Sequence, residues 1–190
     1  GLMREMQTLA NNIANASTTG FRAEEVLFAE HVKSLGPGQQ SLSMATARVR
    51  DTVMTKGTLS QTGGTFDLAI EGDGFFLLET PQGQRLTRSG AFGPNENGDL
   101  VNADGYPVLD AGGAPVFVPQ GIGQIGIAPD GTISAGGQPV GQIGLVIPID
   151  PNQMIREGGV MFDAQSGFEP ALDGRMLQGF LEDSNVNPIL

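Results

Sequence analysis

Apolar side chains recur at every third or fourth position through the first sixteen residues. The stripe consists of five residues with spacings of four, three, four and three: Leu2, Met6, Leu9, Ile13 and Ala16. Such spacing is typical of the narrow contact seam of a coiled coil rather than of the broader stripe of a helix that lies on a core. A helix of about two heptads is marginal in water by itself. The pattern therefore predicts an N-terminal helix whose apolar side packs against other helices.

Three asparagines stand near the C-terminal end of this predicted helix: Asn11, Asn12 and Asn15. Each costs up to about 0.7 kcal/mol relative to alanine in a helix interior, so together they cost roughly 2 kcal/mol. Because a plain surface helix gains nothing from this, we expect the amides to form hydrogen bonds with neighbouring chains or with the following turn. Alternatively, Asn15 and the polar residues 17–19 only end the helix, with Gly20 in the left-handed position.

The pattern is mixed between Phe21 and Gln61. Residues 23–35 are compatible with a short second helix, which the triplet Gly36-Pro37-Gly38 would end. Residues 44–54 alternate poorly between apolar and polar side chains. We interpret this part of the chain as a connecting arm that contains extended pieces.

Short apolar runs separated by turn dipeptides fill the chain after Thr62. The turns are eight pairs: Gly63-Gly64, Asp73-Gly74, Gln82-Gly83, Asn97-Gly98, Asp104-Gly105, Gly112-Gly113, Asp130-Gly131 and Gly136-Gly137. The runs between them predict eight strands: 67–71, 75–79, 84–88, 99–102, 107–109, 116–118, 124–127 and 142–149. Strands this short and this closely spaced leave no room for crossover helices. They indicate an antiparallel, hairpin-rich β domain.

Two further strands are predicted nearer the C-terminal end, at residues 161–162 and 176–181. After them, Asn187 followed by Pro188 is a good N-cap and first-turn pair, so a helix is expected to begin there, two residues before the sequence stops. The predicted fold class is mainly β. It comprises a hairpin-rich antiparallel β domain with an N-terminal helix, and the terminal coiled-coil region is truncated.

Composition narrows the classes of function. The formal charge is −11, from 21 acidic and 10 basic residues, and the basic residues are scattered. Nucleic acid and anionic membrane surfaces are therefore not expected as partners, because both need a concentrated positive patch. The absence of cysteine excludes disulfides, thiolate metal clusters and thiol nucleophiles. No apolar stretch is long enough to span a bilayer, and no basic segment followed by an apolar run begins the sequence, so any export is expected to need no cleaved signal.

Residues 121–126 match the glycine pattern of dinucleotide-binding loops, but their context does not. Pro129 and Asp130-Gly131 follow where a helix should start, and no acidic residue stands about 20 positions onward to hold a ribose. We interpret the segment as a glycine-rich turn between strands.

Other candidate reactive groups are equally isolated. His31 is the only histidine and lies in the connecting arm, so neither a histidine-based triad nor a histidine metal site can be assembled around it. Asn95, Asn97 and Asp99 offer oxygens at alternate positions, yet the glycine and the closing glutamate of a calcium loop are missing, and an Asn-Gly hairpin explains the same residues. We expect no catalytic residue, no cofactor and no metal.

Four blocks of the sequence resemble, in the same order, the signatures of the flagellar axial proteins of the rod and hook group. The first is residues 10–22, with Ala-Asn-Asn, then Ala-Asn, then Thr-Thr-Gly-Phe-Arg. The others are residues 67–76, residues 86–92 with 97–101, and residues 184–187. Within the family, residues 127–134 and 140–145 are most similar to the F-type, proximal rod subgroup, and next to the G-type, distal rod subgroup.

The resemblance implies a structural subunit of the bacterial flagellar basal-body rod, which assembles axially for torque transmission and motility without catalysis or cofactor. It implies four regions: an N-terminal helix of the inner-tube coiled coil (1–20), a connecting arm (21–61), an outer β domain (62–183) and the start of a C-terminal helix (184–190). It also implies a periplasmic location and, as partners, other rod proteins, copies of itself and the flagellar type III export apparatus. Nucleic acid, small-molecule substrates and membrane insertion are not expected.

By the same resemblance, the residues expected at the assembly interface lie at the two ends of the chain: Leu2, Met6, Leu9, Asn11, Asn12, Ile13, Asn15, Thr18, Thr19, Gly20, Phe21, Ser184, Asn185 and Asn187. The sequence departs from the family pattern because it begins partway through the first helix and ends before the last. The chain alone is therefore expected not to polymerise. Two other classes stay open from the residues, a carbohydrate- or peptidoglycan-active β domain and an adhesin-like binding module.

Overall fold

A computed structural model describes the backbone of residues 2–33 and 42–187, and within them the side chains of residues 2–26 and 52–187. The described chain contains one α-helix, seventeen β-strands and a 3₁₀ turn at Pro151–Gln153. The helix and the arm come first: α1 (Leu2–Ala14), β1 (Glu24–Lys33) and β2 (Leu42–Thr52). The strands of the β body follow: β3 (Leu59–Gln61), β4 (Leu68–Glu71), β5 (Phe75–Thr80), β6 (Gly83–Thr87), β7 (Gly93–Pro94), β8 (Leu100–Val101), β9 (Ile125–Ile127), β10 (Thr132–Ala135), β11 (Gln138–Gln142), β12 (Leu145–Pro148), β13 (Met154–Glu157), β14 (Met161–Ala164), β15 (Phe168–Pro170), β16 (Arg175–Gln178) and β17 (Phe180–Glu182).

Helix α1 confirms the predicted N-terminal helix, but it ends at Ala14 rather than at residue 20. Ala16, the last member of the predicted stripe, lies in the turn that follows. The Asn15 side-chain amide donates to the backbone carbonyl of Asn11 at 2.9 Å and to its side-chain oxygen at 3.2 Å. A side chain that binds the preceding turn in this way competes with continued helix. Asn15 therefore has the helix-ending role that the sequence left as the alternative.

The arm is a pair of antiparallel strands, and the short helix predicted over residues 23–35 is wrong wherever the structure describes that range. Strand β1 pairs with β2 from Glu24 opposite Thr52 to Lys33 opposite Leu42, with a bulge after Val26. Cross-strand pairing along β1 outweighs the helix propensity of its glutamate, leucine, alanine and lysine residues. The Gly36-Pro37-Gly38 triplet lies outside the described residues.

The β body confirms the predicted antiparallel class. Its largest sheet has six strands in the order β13-β14-β6-β5-β12-β15, and every pairing in it is antiparallel. A three-stranded sheet, β11-β10-β9, and three two-stranded sheets, β16-β4, β17-β3 and β7-β8, complete the described body. The pairs β16-β4 and β17-β3 bring the C-terminal end of the body back beside its beginning.

Three of the predicted short strands meet in a ring rather than in a ladder. Leu100 N donates to Val116 O at 2.9 Å, Val116 N to Val108 O at 2.9 Å, and Val108 N to Leu100 O at 2.8 Å. The three side chains are buried. The predicted strands at 107–109 and 116–118 are therefore extended segments that pair one residue at a time.

Strand β5 is the centre of the core because both of its faces are buried. Phe76 and Leu78 point into one cluster of apolar side chains, which also contains Leu100, Val108 and Val116. Phe75 and Leu77 point into a second cluster, which includes Phe162. A strand that is buried on both sides reads as a continuous apolar run, as Phe-Phe-Leu-Leu does here.

Two predicted strands are interrupted by glycines that the packing requires. The strand predicted at 142–149 breaks after Gln142, because a Cβ on Gly144 would lie 2.2 Å from the backbone nitrogen of Ala111. The strand predicted at 176–181 divides at Gly179, whose φ is 80°. Its two halves are β16 and β17, which pair with different strands.

The glycine-rich segment 121–126 is a turn that leads into β9, as predicted, with positive φ at Gly121 and Gly123. Asn95 forms the expected hairpin turn, since its side-chain oxygen accepts from the backbone nitrogens of Asn97 and Asp99, both at 2.9 Å. Among the described residues, no helix has the length and apolar character needed to cross a bilayer.

Candidate assembly interface and the junction behind it

The apolar stripe of α1 faces solvent. The exposed fractions of its side chains are 72% for Leu2, 62% for Met6, 51% for Leu9 and 62% for Ile13, and the adjacent Met3 is 88% exposed. Thr8, on another side of the helix, is the one buried residue of α1. A contiguous row of exposed apolar side chains on one helix marks a surface that packs against another protein surface. We call these five residues the apolar face of α1.

A groove of about 530 Å³ continues from this face toward the other end of the chain. Its apolar lining comes from the helix (Leu9, Ile13), from the base of the arm (Ala23, Val53) and from Val186. Asn187 also lines the groove and is exposed. The two ends of the described chain therefore line one groove.

Asn12 ties the helix to the first residue of the arm. Its side-chain nitrogen donates to Glu24 O at 2.8 Å, and its side-chain oxygen accepts from Glu24 N at 2.9 Å. The amide therefore pairs with a backbone edge as another strand would. The sequence allowed the Asn12 amide to bind either a neighbouring chain or the segment that follows the helix. In the structure it binds the following segment of the same chain.

The turn after the helix is closed by its own side chains. The hydroxyl of Thr18 donates to the side-chain oxygen of Asn15 at 3.2 Å, and Thr19 lies half-buried beside it. Phe21 N then donates to Thr18 O at 3.1 Å, and the Phe21 ring is fully buried. The turn thus connects the exposed helix to the buried segment that begins at Gly20.

Gly20 is the point of closest approach between this segment and the body. Its φ is 69°, and a Cβ there would lie 2.4 Å from the backbone nitrogen of Ser89. Its own backbone nitrogen donates to Glu182 O at 2.7 Å. Five residues separate it from Ala14, so Gly20 permits this contact and is not the cap of α1.

Arg22, Arg88 and Glu182 form a buried cluster directly below this contact. Arg22 Nη1 lies 2.5 Å from Glu182 Oε1, and Arg88 Nη2 lies 2.6 Å from Glu182 Oε2. Their side chains are 2%, 3% and 0% exposed, respectively. Burial lowers the pKa of Arg22; the Glu182 carboxylate opposes this effect and the positive charge of Arg88 adds to it. We call these three residues the junction cluster.

Other donors of the cluster bind backbone carbonyls of other segments. Arg88 Nη1 donates to Gly74 O at 2.7 Å, and Arg88 Nη2 donates to Ile70 O at 3.0 Å. Arg22 Nη1 donates to Thr55 O at 2.8 Å. Because both arginines have the planar, multi-donor geometry of the guanidinium group, one charged cluster satisfies several carbonyls at once.

Asn185 completes the junction from the C-terminal side. Its side-chain oxygen accepts from Ala23 N at 2.6 Å, and its side-chain nitrogen donates to Val53 O at 2.9 Å and Thr55 O at 2.7 Å. The neighbouring Ser184 hydroxyl accepts from Val186 N at 3.2 Å. The C-terminal block therefore holds both strands of the arm at their base.

Two family models match the chain. The model described as flagella basal body rod protein matches residues 2–22, and that of the flagellar hook protein FlgE/F/G D1 domain matches residues 69–135. The flagellar basal-body rod protein FlgF of Mesorhizobium japonicum is 42% identical over 193 residues, covering 100% of this chain and 79% of the relative. The chain belongs to the flagellar basal-body rod protein family. FlgF of Caulobacter vibrioides is 39% identical with coverages of 100% and 79%, and FlgG of Bacillus subtilis is 32% identical with coverages of 96% and 80%.

The four blocks that resemble the rod family meet at this junction. Gly20, Phe21 and Arg22 come from the first block, and the carbonyls bound by Arg88 belong to the second. Arg88 lies in the third block, and Asn185 in the fourth. The family signatures therefore describe one contact region, although they are spread along the whole sequence.

Sequence reasoning missed two residues of this region, Glu182 and Arg156. Arg156 is nearly buried and lies against Phe21 and Glu24. Glu182 directly follows the apolar pair Phe180-Leu181, and an acidic residue placed between a predicted strand and the fourth block was the available signal. Among the described residues, no group of three or more histidine, cysteine, aspartate or glutamate side chains is arranged to hold a metal ion.

Proposed function

We propose that this chain is a structural subunit of the flagellar basal-body rod, of the proximal F type, and that the apolar face of α1 is the surface through which it assembles. The higher identity to the two FlgF proteins than to FlgG supports the F type. The distal G type is the alternative. The single observation that carries the assembly role is a helix with an exposed apolar face that is attached to a well-packed β body.

The energetics explain why such a helix needs several neighbours. Full burial of one large apolar side chain contributes about 1.5–3 kcal/mol, so four that are a little over half exposed contribute on the order of 5 kcal/mol. Association of two bodies costs about 4–15 kcal/mol. When two copies meet through this face, both contribute, so the gain is about 10 kcal/mol, which is similar to the cost and leaves little net affinity. Several contacts around each helix are sufficient, which favours a tube over a dimer.

The partners that follow are copies of this chain and other rod proteins. Head-to-tail contacts between such subunits are heterologous and do not close, so they generate a helical fibre. Leu2, Met6, Leu9 and Ile13 form the interface in this proposal. Asn12, Gly20, Phe21 and Asn185 act through contacts inside the chain, by positioning the helix that carries the interface.

The same proposal assigns the regions of the chain. Residues 1–20 belong to the inner tube, 21–61 to the arm, 62–183 to the outer body, and 184–190 lead into a C-terminal helix. The rod location implies passage through the flagellar export apparatus and residence in the periplasm. The exposed helix at one end and the compact body at the other support this division.

Charge substitutions on the helix test the proposal. In a version extended at both ends to the length of its relatives, Leu9→Glu and Ile13→Glu are expected to abolish self-association in sedimentation and swimming in a strain that lacks the protein. Leu172→Glu is the matched control, because Leu172 is 92% exposed but lies on the body. Thermal unfolding of all three variants is expected to match that of the parent. Normal assembly and swimming of both helix variants would refute the proposal.

A further inference from the structure

Arg156 is a nearly buried cation outside the junction cluster. It lies on β13, the edge strand of the six-stranded sheet, which pairs only with β14 among the described strands. Its side chain is 12% exposed. Burial lowers the pKa of Arg156, and the Glu24 carboxylate opposes that shift. An edge-strand arginine normally extends into water, so its burial requires a structural reason.

The guanidinium group lies between two aromatic rings. Its carbon is 4.6 Å from the centroid of Phe21 and 5.0 Å from that of Phe162. Phe162 belongs to the core of the body and Phe21 to the segment that carries the helix. A cation over an aromatic face is attracted by the ring quadrupole. Arg156 thus joins the body to the helix-bearing segment through its two faces.

The edges of the same guanidinium group bind the same two parts of the chain. Nη1 donates to Gly159 O, on the hairpin that carries Arg156, and Nη2 donates to Arg22 O. Nε lies 3.0 Å from the carboxylate oxygen Oε1 of Glu24. A planar group whose two terminal nitrogens donate while its charge pairs with a carboxylate makes all of these contacts together.

These contacts continue to the helix in two steps. Arg156 holds the carboxylate of Glu24, and the backbone of Glu24 pairs with the amide of Asn12 in both directions. The junction cluster, in contrast, binds the chain at Gly20 and Arg22. The direction in which α1 leaves the body is therefore set through Glu24.

We propose that Arg156 is a positioning residue that fixes the angle between the apolar face of α1 and the β body. This inference rests on the proposed assembly role, because a fixed angle matters only if the helix and the body both contact neighbours. It assigns separate tasks to the two clusters: the junction cluster holds the ends of the chain together, and Arg156 sets the direction of the helix.

A distance measurement in the unassembled chain tests this assignment. The chain has no cysteine, so Gln7→Cys on the helix and Glu96→Cys on the body introduce the only two sites for spin labels. Both positions are exposed. Pulsed electron resonance then gives the distribution of distances between helix and body. In the parent this distribution is expected to be narrow.

The test variant is Arg156→Met combined with Glu24→Gln, since removal of Arg156 alone takes away a cation that pairs with the buried Glu24 carboxylate. We expect a broader distribution with a shifted mean, while the amide spectrum of the body is retained. Arg156→Lys keeps the charge but not the planar fork, so a smaller broadening is expected. Arg85→Met is the control: Arg85 is 8% exposed and pairs with Glu157 and Asp163 on the same hairpin, away from the helix-bearing segment.

An unchanged distribution in the double variant and in Arg156→Lys would overturn the inference. So would an equal change in Arg85→Met, because the effect would then be a general loosening of the sheet. Since the measurement uses the unassembled chain, its outcome is independent of whether the helix is an assembly surface. Failure of this test and failure of the proposed function are therefore distinguishable.

Discussion

At the scale of single residues, Glu182 is expected to contribute most to the stability of the junction. It is fully buried, contacts both Arg22 and Arg88, and also accepts from Gly57 N at 3.0 Å. The net charge of these three side chains is positive. Loss of the one carboxylate would leave two guanidinium groups buried without a counter-charge, which is a large penalty in a region of low dielectric constant.

Glu182→Gln is expected to lower the free energy of unfolding by about 3–5 kcal/mol, the range found when one partner of a buried ion pair is removed. Urea unfolding followed by circular dichroism measures this change. Glu79→Gln is the matched control, because Glu79 is exposed on β5 and forms no salt bridge among the described residues. Equal stability of the two variants would show that the cluster does not stabilise the junction.

A glycine can be required by a positive φ alone or by a positive φ together with close contact to other backbone. Gly20 is an example of the second case and Gly63 of the first. Both have positive φ, 69° and 74°, but a Cβ on Gly20 would collide with Ser89, whereas one on Gly63 would meet nothing within 4 Å. Gly63→Ala is expected to cost about 1–2 kcal/mol for the left-handed backbone alone. Gly20→Ala is expected to cost clearly more in the same urea unfolding experiment. Similar costs would contradict the close approach of segment 20–22 to the body.

At the scale of elements, the helix is coupled to the arm through one asparagine. Asn12→Ala removes both hydrogen bonds to Glu24, at a cost of roughly 1–3 kcal/mol, and regains up to about 0.7 kcal/mol of helix propensity. We expect faster hydrogen exchange at the Glu24 amide. Asn11→Ala has the same gain in propensity without touching β1, so it should leave that amide protected. Equal exchange in both variants would argue against the coupling.

The elements also show what local sequence determines. Turn dipeptides located strands β4, β5, β6, β8 and β9, because a glycine at positive φ is a local requirement that any sequence must meet in the same way. The strand predicted at 142–149 failed at Gly144, where the constraint is the distant backbone of Ala111. The helix predicted at 23–35 failed because β1 is stabilised by pairing with β2. Both errors arise where tertiary contacts override local propensity.

At the scale of the whole molecule, contacts between distant residues account for what the sequence did not show. Arg88 and Glu182 are 94 positions apart, and Ala23 and Asn185 are 162 positions apart. The apolar stripe of α1 could be predicted because its spacing of three and four residues is visible within a short stretch of sequence. The attachment of the helix could not be predicted in full, because Arg156 has no local pattern that distinguishes it from a surface charge and Glu182 has only its position beside the fourth block. The resemblance to rod proteins located the correct segments without giving the contacts between them.

We expect the junction to hold the exposed helix in the position from which it is buried in a rod. Alkylation of a single thiol measures this most directly, in the full-length protein carrying Leu9→Cys and, as a control on the body, Leu172→Cys. In the unassembled protein both sites should react rapidly. In isolated rods, the account predicts that the Leu9→Cys site is strongly protected, whereas the Leu172→Cys site keeps more of its reactivity. A Leu9→Cys site that reacts equally fast in the free subunit and in the rod would contradict the central claim.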